Sequence, residues 1–530
     1  MFENSINSSK NVDFDPLLSE LNDKQRDAIL CENRRLLVLA GAGSGKTKTI
    51  IQKIIYLISK KNVDPSQILA ITFTKNAANE MIDRLILMTD KDGSYKKIIY
   101  DKKLLKKEKE YERIKFIRKY PWLSNITVKT FHSLSYHILK NYGAKEFDNK
   151  FTILSDSSYD DDIAFKNVAN ETQEKIIHKI ILKNCEDPEY LLRLKRYILD
   201  NYVDTHRIKM HKLGDTNYSC PYTTLKGDYV KSKSERDIAD WLYRHYISYK
   251  YEPIIAPGSF EFRPDFLIEE ANLYLELVSN KSHPLKDKEK EMSEAGKTYI
   301  EIQEHETHDS NEFNKIMDKI VFSRIDRTLK KITPLIISEE FKGYEKFLRQ
   351  FILDNISVLD KIKVEDRNFE EIYEKAQKDE HSRIRDFYEF FKTIFHEYRE
   401  YCIDHSYLDF NDLLIRNVSL FENHKEIKEL FANKYKYILV DEFQDVNSLQ
   451  VRLLKQLIKN ETQLFCVGDD WQSIYGWRGS DVEYIINFKK FFDDSKIIKL
   501  DINYRSNDTI VNASNEVIKN NKYKSISINM

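Results

Sequence analysis

Cysteine is scarce in this chain and does not cluster. Cys31, Cys185, Cys220, Cys402 and Cys466 are odd in number and form no CxxC pair. That argues against a disulfide framework or a zinc site and fits reduced thiols in a cytosol. Long apolar runs are missing as well. No stretch of about 18 apolar residues occurs, and the opening MFENSINSSKNVDFD holds no apolar leader segment. Neither a spanning helix nor a secretory signal is expected, no membrane partner is expected, and the expected location is cytoplasmic. There is no internal repeat of solenoid period. Net charge is nearly absent, with 85 Lys and Arg against 86 Asp and Glu, so any nucleic-acid surface has to come from local segregation of charge. Glycine is rare too, 13 in 530 residues, and its concentrations are therefore informative. A chain of this length predicts two to four domains.

Three of the glycines fall in one loop. The stretch Leu36–Thr47, LLVLAGAGSGKT, is an apolar run that breaks into Gly41, Ala42, Gly43, Ser44 and Gly45 and ends in Lys46-Thr47-Lys48. A strand, a loop poor in Cβ atoms and a helix opening on Lys-Thr form a phosphate cradle. Loop N–H groups and the helix N-terminus face the anion, Lys46 reaches the β- and γ-phosphates, and the Thr47 hydroxyl is placed to ligate Mg²⁺. Ala40 stands where the strict pattern has its first glycine and is small enough for it. Upstream, LNDKQ opens a helix with Asn22 or Asp23 as N-cap, and Gln25 lies where an amide could read an adenine edge.

QILAITF (67–73) reads as a second buried strand before a helix, with Thr72 and Phe73 at its tip; Phe73 is either a core aromatic or a stacking platform. Between Asp90 and Tyr120 lysines outnumber acids, with tyrosine and isoleucine interleaved. That run is either a solvated helix face or a surface over a nucleic-acid backbone. TVKTFHSL (127–134) returns to a short strand and turn carrying His132. Residues 228–306 differ in texture. The order α-β-β-β-α-β, with Glu235 on the first helix, Asp265 at one strand and Glu276 on the next, resembles a PD-(D/E)XK nuclease core. The resemblance implies that these three carboxylates hold a second divalent metal that activates water. Val278 stands where that family has lysine, and Lys281, Lys286, Lys288 or Lys290 are the candidate substitutes.

YKYILVDEFQD (435–445) is an apolar strand ending in paired acids. Downstream of a phosphate loop, Asp441 is suited to hold Mg²⁺ and Glu442 to take a proton from the attacking water. A further buried strand, 463–468, runs into GDDWQSIYGWRG, which concentrates three glycines and two of the four tryptophans. Gln472 is placed to sense a terminal phosphate, and Tyr475 and Trp477, beside Arg478, offer faces for base stacking. The strand 497–501 then leads to Asn503-Tyr504-Arg505, where an arginine could reach a γ-phosphate.

Together these segments resemble a superfamily 1 helicase of the UvrD/Rep/PcrA type. LNDKQRDAI is similar to the Q motif, AGAGSGKT to motif I, TFTKNAANEM to motif Ia and TFHSL to motif Ib. VDEFQD resembles motif II, VGDDWQSIYGWRG motif III and INYRS motif IV, with wording closest to the helicase IV branch. The resemblance implies that Gln25 and Tyr504 recognise adenine. It implies that Lys46, Thr47, Asp441, Glu442, Gln472 and Arg505 bind and hydrolyse MgATP, and that Phe73, Tyr475 and Trp477 engage single-stranded DNA. Thr72, His132 and Arg478 join the expected DNA contacts. It also implies 3′→5′ movement.

The expected fold class is α/β. A RecA-like P-loop domain (1–88, 126–150 and 406–490) is interrupted by a basic helical insertion (89–125), helical segments (151–227 and 307–405) and the nuclease-like module (228–306). A second RecA-like domain is expected to start at 491–530. Motifs V and VI do not follow before Met530. The alternatives are therefore a fragment, a truncated protein, or a split helicase completed by a second polypeptide, acting as an ATP-dependent DNA-binding switch or nuclease.

Overall fold

Apolar runs without alternation belong to strands buried on both faces, and that arrangement calls for a parallel sheet covered by helices. The computed structural model describes residues 19–155, 168–203, 220–255, 263–279, 286–307, 310–325, 336–476, 479–518 and 520. Four such runs and two mixed edge strands form one sheet: β1 (Arg35–Ala40), β2 (Ile68–Thr72), β3 (Thr127–Thr130), β4 (Tyr437–Val440), β5 (Gln463–Gly468) and β6 (Ser495–Leu500), with β3 and β6 the mixed edges. Their order is β6-β1-β5-β4-β2-β3, and every neighbouring pair is parallel. Parallel pairing brings all six carboxyl ends to one edge, the edge at which open α/β sheets hold ligands.

Successive strand residues serve opposite layers. Leu37, Leu39, Ile71, Ile438 and Val440 pack on one side with Leu134, Ile138, Leu413 and Leu453. Leu36, Val38, Ala70, Leu439 and Val467 pack on the other with Ile50, Ile54, Met81 and Leu85. The second layer is carried by helices α1 (Asp23–Leu30), α2 (Lys46–Ser59) and α3 (Lys75–Leu87). Each fully buried Leu or Ile contributes about 1.5–3 kcal/mol.

At three of the expected divisions the packing and pairing are as follows. Residues 89–125 do not stand apart from the first lobe: Tyr95, Phe116 and Trp122 are buried in the same apolar cluster as β1 and α2. The segment expected to open a second lobe instead completes the first sheet, because Ser495–Leu500 pairs with β1 along its whole length. The helical segments at 151–227 and 307–405 are each divided. One unit takes in residues up to 173, 356–369 and 399 onward; the other comprises 174–355 and 370–398. The physical reason for the return at 356–369 is a buried charge cluster. Lys363 Nζ lies 2.5 Å from Asp409 Oδ2 and 2.7 Å from Asp412 Oδ1, and Asp409 caps the helix Phe410–Asn423 through the Asp412 N–H. Burial alone would lower the Lys363 pKa, but Asp409 and Asp412 hold it above the ordinary lysine range.

In the second unit, the helix Lys233–Arg244, capped by Ser232, packs Ile238, Trp241 and Leu242 against a four-stranded mixed sheet. Its strands run in the order Thr298–Gln303, Leu273–Val278, Phe266–Ile268, Lys250–Tyr251, with the first pair parallel and the others antiparallel. The α-β-β-β-α-β order read from the sequence is thus present as a folded element. Among the described residues no helix is long and apolar enough to cross a membrane.

Removing one partner of a buried ion pair strands the other charge, at a cost of about 3–5 kcal/mol. Lys363→Met is therefore expected to lower unfolding free energy by that amount in urea titrations. Lys61→Met, which breaks an exposed pair with Glu32, is expected to change it by less than about 1 kcal/mol.

Candidate functional site

The loop after β1 carries its own conformational demand. Gly43 and Gly45 adopt φ of +78° and +91°, values that favour glycine. A Cβ on Gly43 would lie 2.5 Å from the Arg505 Cβ, and one on Gly45 would lie 2.7 Å from Gln25 Nε2. The glycines are thus needed for close approach as well as for backbone freedom. Gly45 is the N-cap of α2, whose first N–H groups open onto the cradle. Ser44 is fully buried, and its hydroxyl donates to Gly41 O at 2.8 Å. Ala40 is buried, while Gly41 and Ala42 line a cavity of about 220 Å³ shared with Asp469, Gln472 and Asn503.

Two flanking segments brace this loop. In α1 a capping box joins Asn22 and Gln25, and the buried Gln25 amide donates to Ser44 O at 2.9 Å. Gln25 thus faces the loop backbone. Beyond β6, Asn503 Nδ2 donates to Ala42 O and the Tyr504 N–H donates to Gly43 O, each at 2.9 Å. Asn22 Nδ2 donates to the Tyr504 hydroxyl at 2.7 Å. Tyr504 and Arg505 are exposed at the mouth of the loop. Lys48 turns away: its ammonium donates to Glu20 O at 3.3 Å, which leaves its backbone N–H for an anion.

The chemical centre lies where β1, β4 and β5 end. Lys46 is 9% exposed, and its ammonium donates to Gln472 Oε1 at 3.1 Å and lies 3.3 Å from Glu442 Oε2. Gln472 Nε2 donates in turn to Asp469. Gln444 links the acids of the two strand ends, with its Nε2 donating to Glu442 at 2.8 Å and its Oε1 accepting the Asp469 N–H at 2.9 Å. Glu442 sits at φ +48°, a left-handed turn that re-aims the chain directly after the strand. The Asp441 carboxylate accepts the Glu442 N–H at 3.0 Å. Burial, then the Glu442 charge, pushes Asp441 up to about 7. The same two causes, in the same order, raise Asp445 to about 7, and burial raises Asp469. Lys46 thus faces a surplus of carboxylates, with Asp441 among them a hard oxygen donor of the kind a divalent cation takes. Thr47 lies one residue on, at the start of α2.

At the ends of β2 and β5, Phe73 and Tyr475 stack with ring centroids 5.3 Å apart and planes 25° from parallel. Both are half-buried, so the pair forms one platform. Thr72 is fully buried and donates to Thr74 O at 3.0 Å, which shapes the turn beneath that platform. His132 is half-buried, edge-on to Phe410 at 5.4 Å. Burial pushes its pKa down to about 4, so it is neutral near pH 7 and offers no positive charge. Trp477 and Arg478 lie outside the described residues.

In the second unit, the carboxylates expected to hold a second metal have partners within the fold. Glu235 Oε2 accepts the Tyr251 hydroxyl at 2.6 Å and the Lys231 N–H at 2.9 Å. Asp265 accepts the Leu277 N–H at 2.7 Å. Burial, joined by the Glu276 and Glu235 charges and opposed by the Leu277 hydrogen bond, pushes Asp265 up to about 7. The carboxylates of Glu235 and Asp265 are thus committed within the fold. Among the described residues no group of three His, Cys, Asp or Glu side chains is placed to hold a metal ion. Of the substitute lysines, Lys281 and the side chains of Lys286 and Lys288 fall outside the described part, and Lys290 lies 3.9 Å from Glu294.

Reading the sequence missed Asn503, Gln444 and Asp469 as working residues. Asn503 had a local signal, an Asx turn in which Oδ1 accepts the Arg505 and Ser506 N–H groups. Gln444 and Asp469 act across strand ends and had none.

An alanine at Gly45 combines a left-handed φ with a clash against Gln25. Gly45→Ala is expected to weaken binding of a fluorescent ATP analogue by at least about tenfold, the equivalent of about 1.4 kcal/mol. Gly93→Ala, at φ +67° but in open space, is expected to leave that binding unchanged.

Residues 21–493 match the family described as UvrD/REP helicase N-terminal domain. The chain is 25% identical over 506 residues to the ATP-dependent DNA helicase PcrA of Staphylococcus aureus, covering 95% of this chain and 40% of that protein. It is 26% identical over 510 residues to a probable DNA helicase II homolog of Mycoplasma capricolum, covering 96% of this chain and 42% of that one. The chain therefore spans about two fifths of the length of these relatives. The match runs from the capping box of α1 to just before β6 and takes in the Lys46, Glu442 and Gln472 centre, and the chain belongs to the UvrD/REP helicase N-terminal domain family.

Proposed function

We propose that this chain is the ATP-hydrolysing, DNA-engaging part of a UvrD-type 3′→5′ DNA helicase or single-stranded DNA translocase. One observation carries the reading: Lys46, Glu442 and Gln472, from the ends of three different strands, meet within 3.3 Å beside a glycine cradle. The α2 N-terminus and loop N–H groups bind the phosphates, and Lys46 exchanges its contacts with Glu442 and Gln472 for the β- and γ-oxygens. Thr47 and Asp441 fit Mg²⁺, which when bound screens the phosphate charge. Glu442, released from Lys46, takes the proton of the attacking water. Gln472 senses the terminal phosphate, Arg505 is directed to the same phosphate, and Tyr504 with Gln25 frames the adenine.

DNA bases stack at the Phe73–Tyr475 platform, and Trp477, Arg478, Thr72 and His132 are the further DNA contacts that the motifs suggest. Tyr475 and Gln472 lie three residues apart after β5, so nucleotide state and base stacking share one short segment. The α-β-β-β-α-β module is read as a folded insertion without a cleavage step.

Lys46→Ala is expected to abolish nucleotide binding and DNA-stimulated ATPase. Glu442→Gln is expected to keep binding while slowing turnover by about 10²–10⁴-fold. A coupled ATPase assay beside equilibrium nucleotide titration separates the two, and intact stimulated turnover in Lys46→Ala would overturn the assignment.

Phe73→Ala is expected to lose about 1–3 kcal/mol of single-strand affinity with little dependence on base identity. Fluorescence anisotropy of labelled oligonucleotides reads that loss directly.

A further inference from the structure

Between residues 91 and 119 the chain carries twelve Lys and Arg against five Asp and Glu, in a protein whose formal net charge is -1. A charge run alone is usually a solvated face, but here the fold dictates which face is out. On the helix Lys106–Lys119, Phe116 is buried in the core cluster beside β1 and α2. Arg113, on the same side, makes a two-pronged pair with Asp83 of α3 at 2.5 and 2.9 Å, and Tyr95 of the preceding helix Ser94–Ile99 donates to the same carboxylate. Both side chains of the Arg113–Asp83 pair are largely buried.

The opposite side of that helix presents Lys107, Tyr111, Ile114 and Arg118, spaced four, three and four residues apart and all exposed. That spacing aligns them on one stripe. Tyr111 is 67% and Ile114 46% exposed, and Tyr100 and Leu105 just before them are more exposed still. Lysines and apolar or aromatic groups interleaved on a pinned surface suit a sugar-phosphate backbone. Exposed apolar groups gathered on one face, rather than scattered singly, mark an interaction surface. The position also connects: Glu110 lies 3.8 Å from Lys75, two residues after Phe73 of the stacked platform.

We infer that the helices Ser94–Ile99 and Lys106–Lys119 form a second DNA-backbone surface outside the helicase motifs, which takes up the strand where it passes the Phe73–Tyr475 platform. The inference rests on the DNA reading above. Its interactions are electrostatic and sequence-independent, so they enlarge the footprint without changing base preference.

The test uses the full chain and labelled oligothymidines, a short one of about 8 nucleotides that fills only the platform and a long one of about 30. The triple variant Lys102→Glu, Lys103→Glu, Lys107→Glu, whose first two positions are exposed in the turn that joins the two helices, is expected to bind the long strand at least about tenfold more weakly. Its log K against log salt line should be shallower by about 0.7 for each phosphate that the variant no longer neutralises. Short-strand affinity, nucleotide binding and thermal midpoint should stay unchanged. A separate pair, Lys96→Glu with Lys97→Glu, should move the long strand in the same direction. Unchanged long-strand affinity and slope in both variants overturn the second surface while leaving the helicase reading intact. Failure of the unmodified chain to bind either strand overturns the helicase reading, and the second surface falls with it.

Discussion

The Lys46 ammonium is the positive charge around which the carboxyl edge of the sheet is balanced. It lies against Glu442 and Gln472, and its field also lowers the pKa values of Asp441, Asp445 and Asp469 against the burial that raises them. Buried carboxylates in such number are costly without a compensating cation. Under the proposed function the arrangement is poised: a phosphate chain with a divalent ion would give Lys46 new partners and the acids a new cation. The strain of the site is visible at Glu442, a non-glycine residue held in the left-handed region, which a surrounding structure has to over-determine. The Gln444 bridge from Glu442 to the Asp469 backbone does that.

The glycine loop proposed to receive the phosphates is held from outside by its neighbours. Gln25 bonds to Ser44 O, and Asn503 and Tyr504 bond to the carbonyls of Ala42 and Gly43. These bonds satisfy the carbonyls and leave the loop N–H groups to face the anion. Both braces depend on absent Cβ atoms, since side chains at Gly43 and Gly45 would displace them. Elsewhere the protein uses buried ion clusters for a different purpose. Lys363 with Asp409 and Asp412 returns the chain to the first unit, Arg113 with Asp83 pins the basic helices, and Lys195 with Glu340 and Tyr243 braces the second unit at 2.6 and 2.7 Å. Each joins elements distant in sequence and specifies one pairing among many that apolar packing alone would tolerate.

Motif chemistry was readable because it is local. Strand, glycine loop and Lys-Thr are contiguous, and so are the apolar strand and its paired acids. Phe73 was left open between core and platform, and only the ring of Tyr475, about four hundred residues later, makes it half of a stacked pair. The helical periods around 89–125 were legible, but their membership in the first core was not. Periodicity says that a face is apolar and does not say what covers it.

By itself the amino-acid sequence determined the strands, the helix caps, the glycine cradle and the order of the chemical segments, because each depends on residues within a few positions of one another. It also carried the α-β-β-β-α-β order of the inserted module. Tertiary structure alone decided three things. It joined Ser495–Leu500 to β1, since backbone pairing partners leave no trace in side-chain pattern. It committed Glu235 to Tyr251 and Lys231, since a carboxylate's partner depends on distances across the fold. And it brought Lys46 to Glu442 and Gln472, since only a parallel sheet gathers strand ends roughly four hundred residues apart onto one edge.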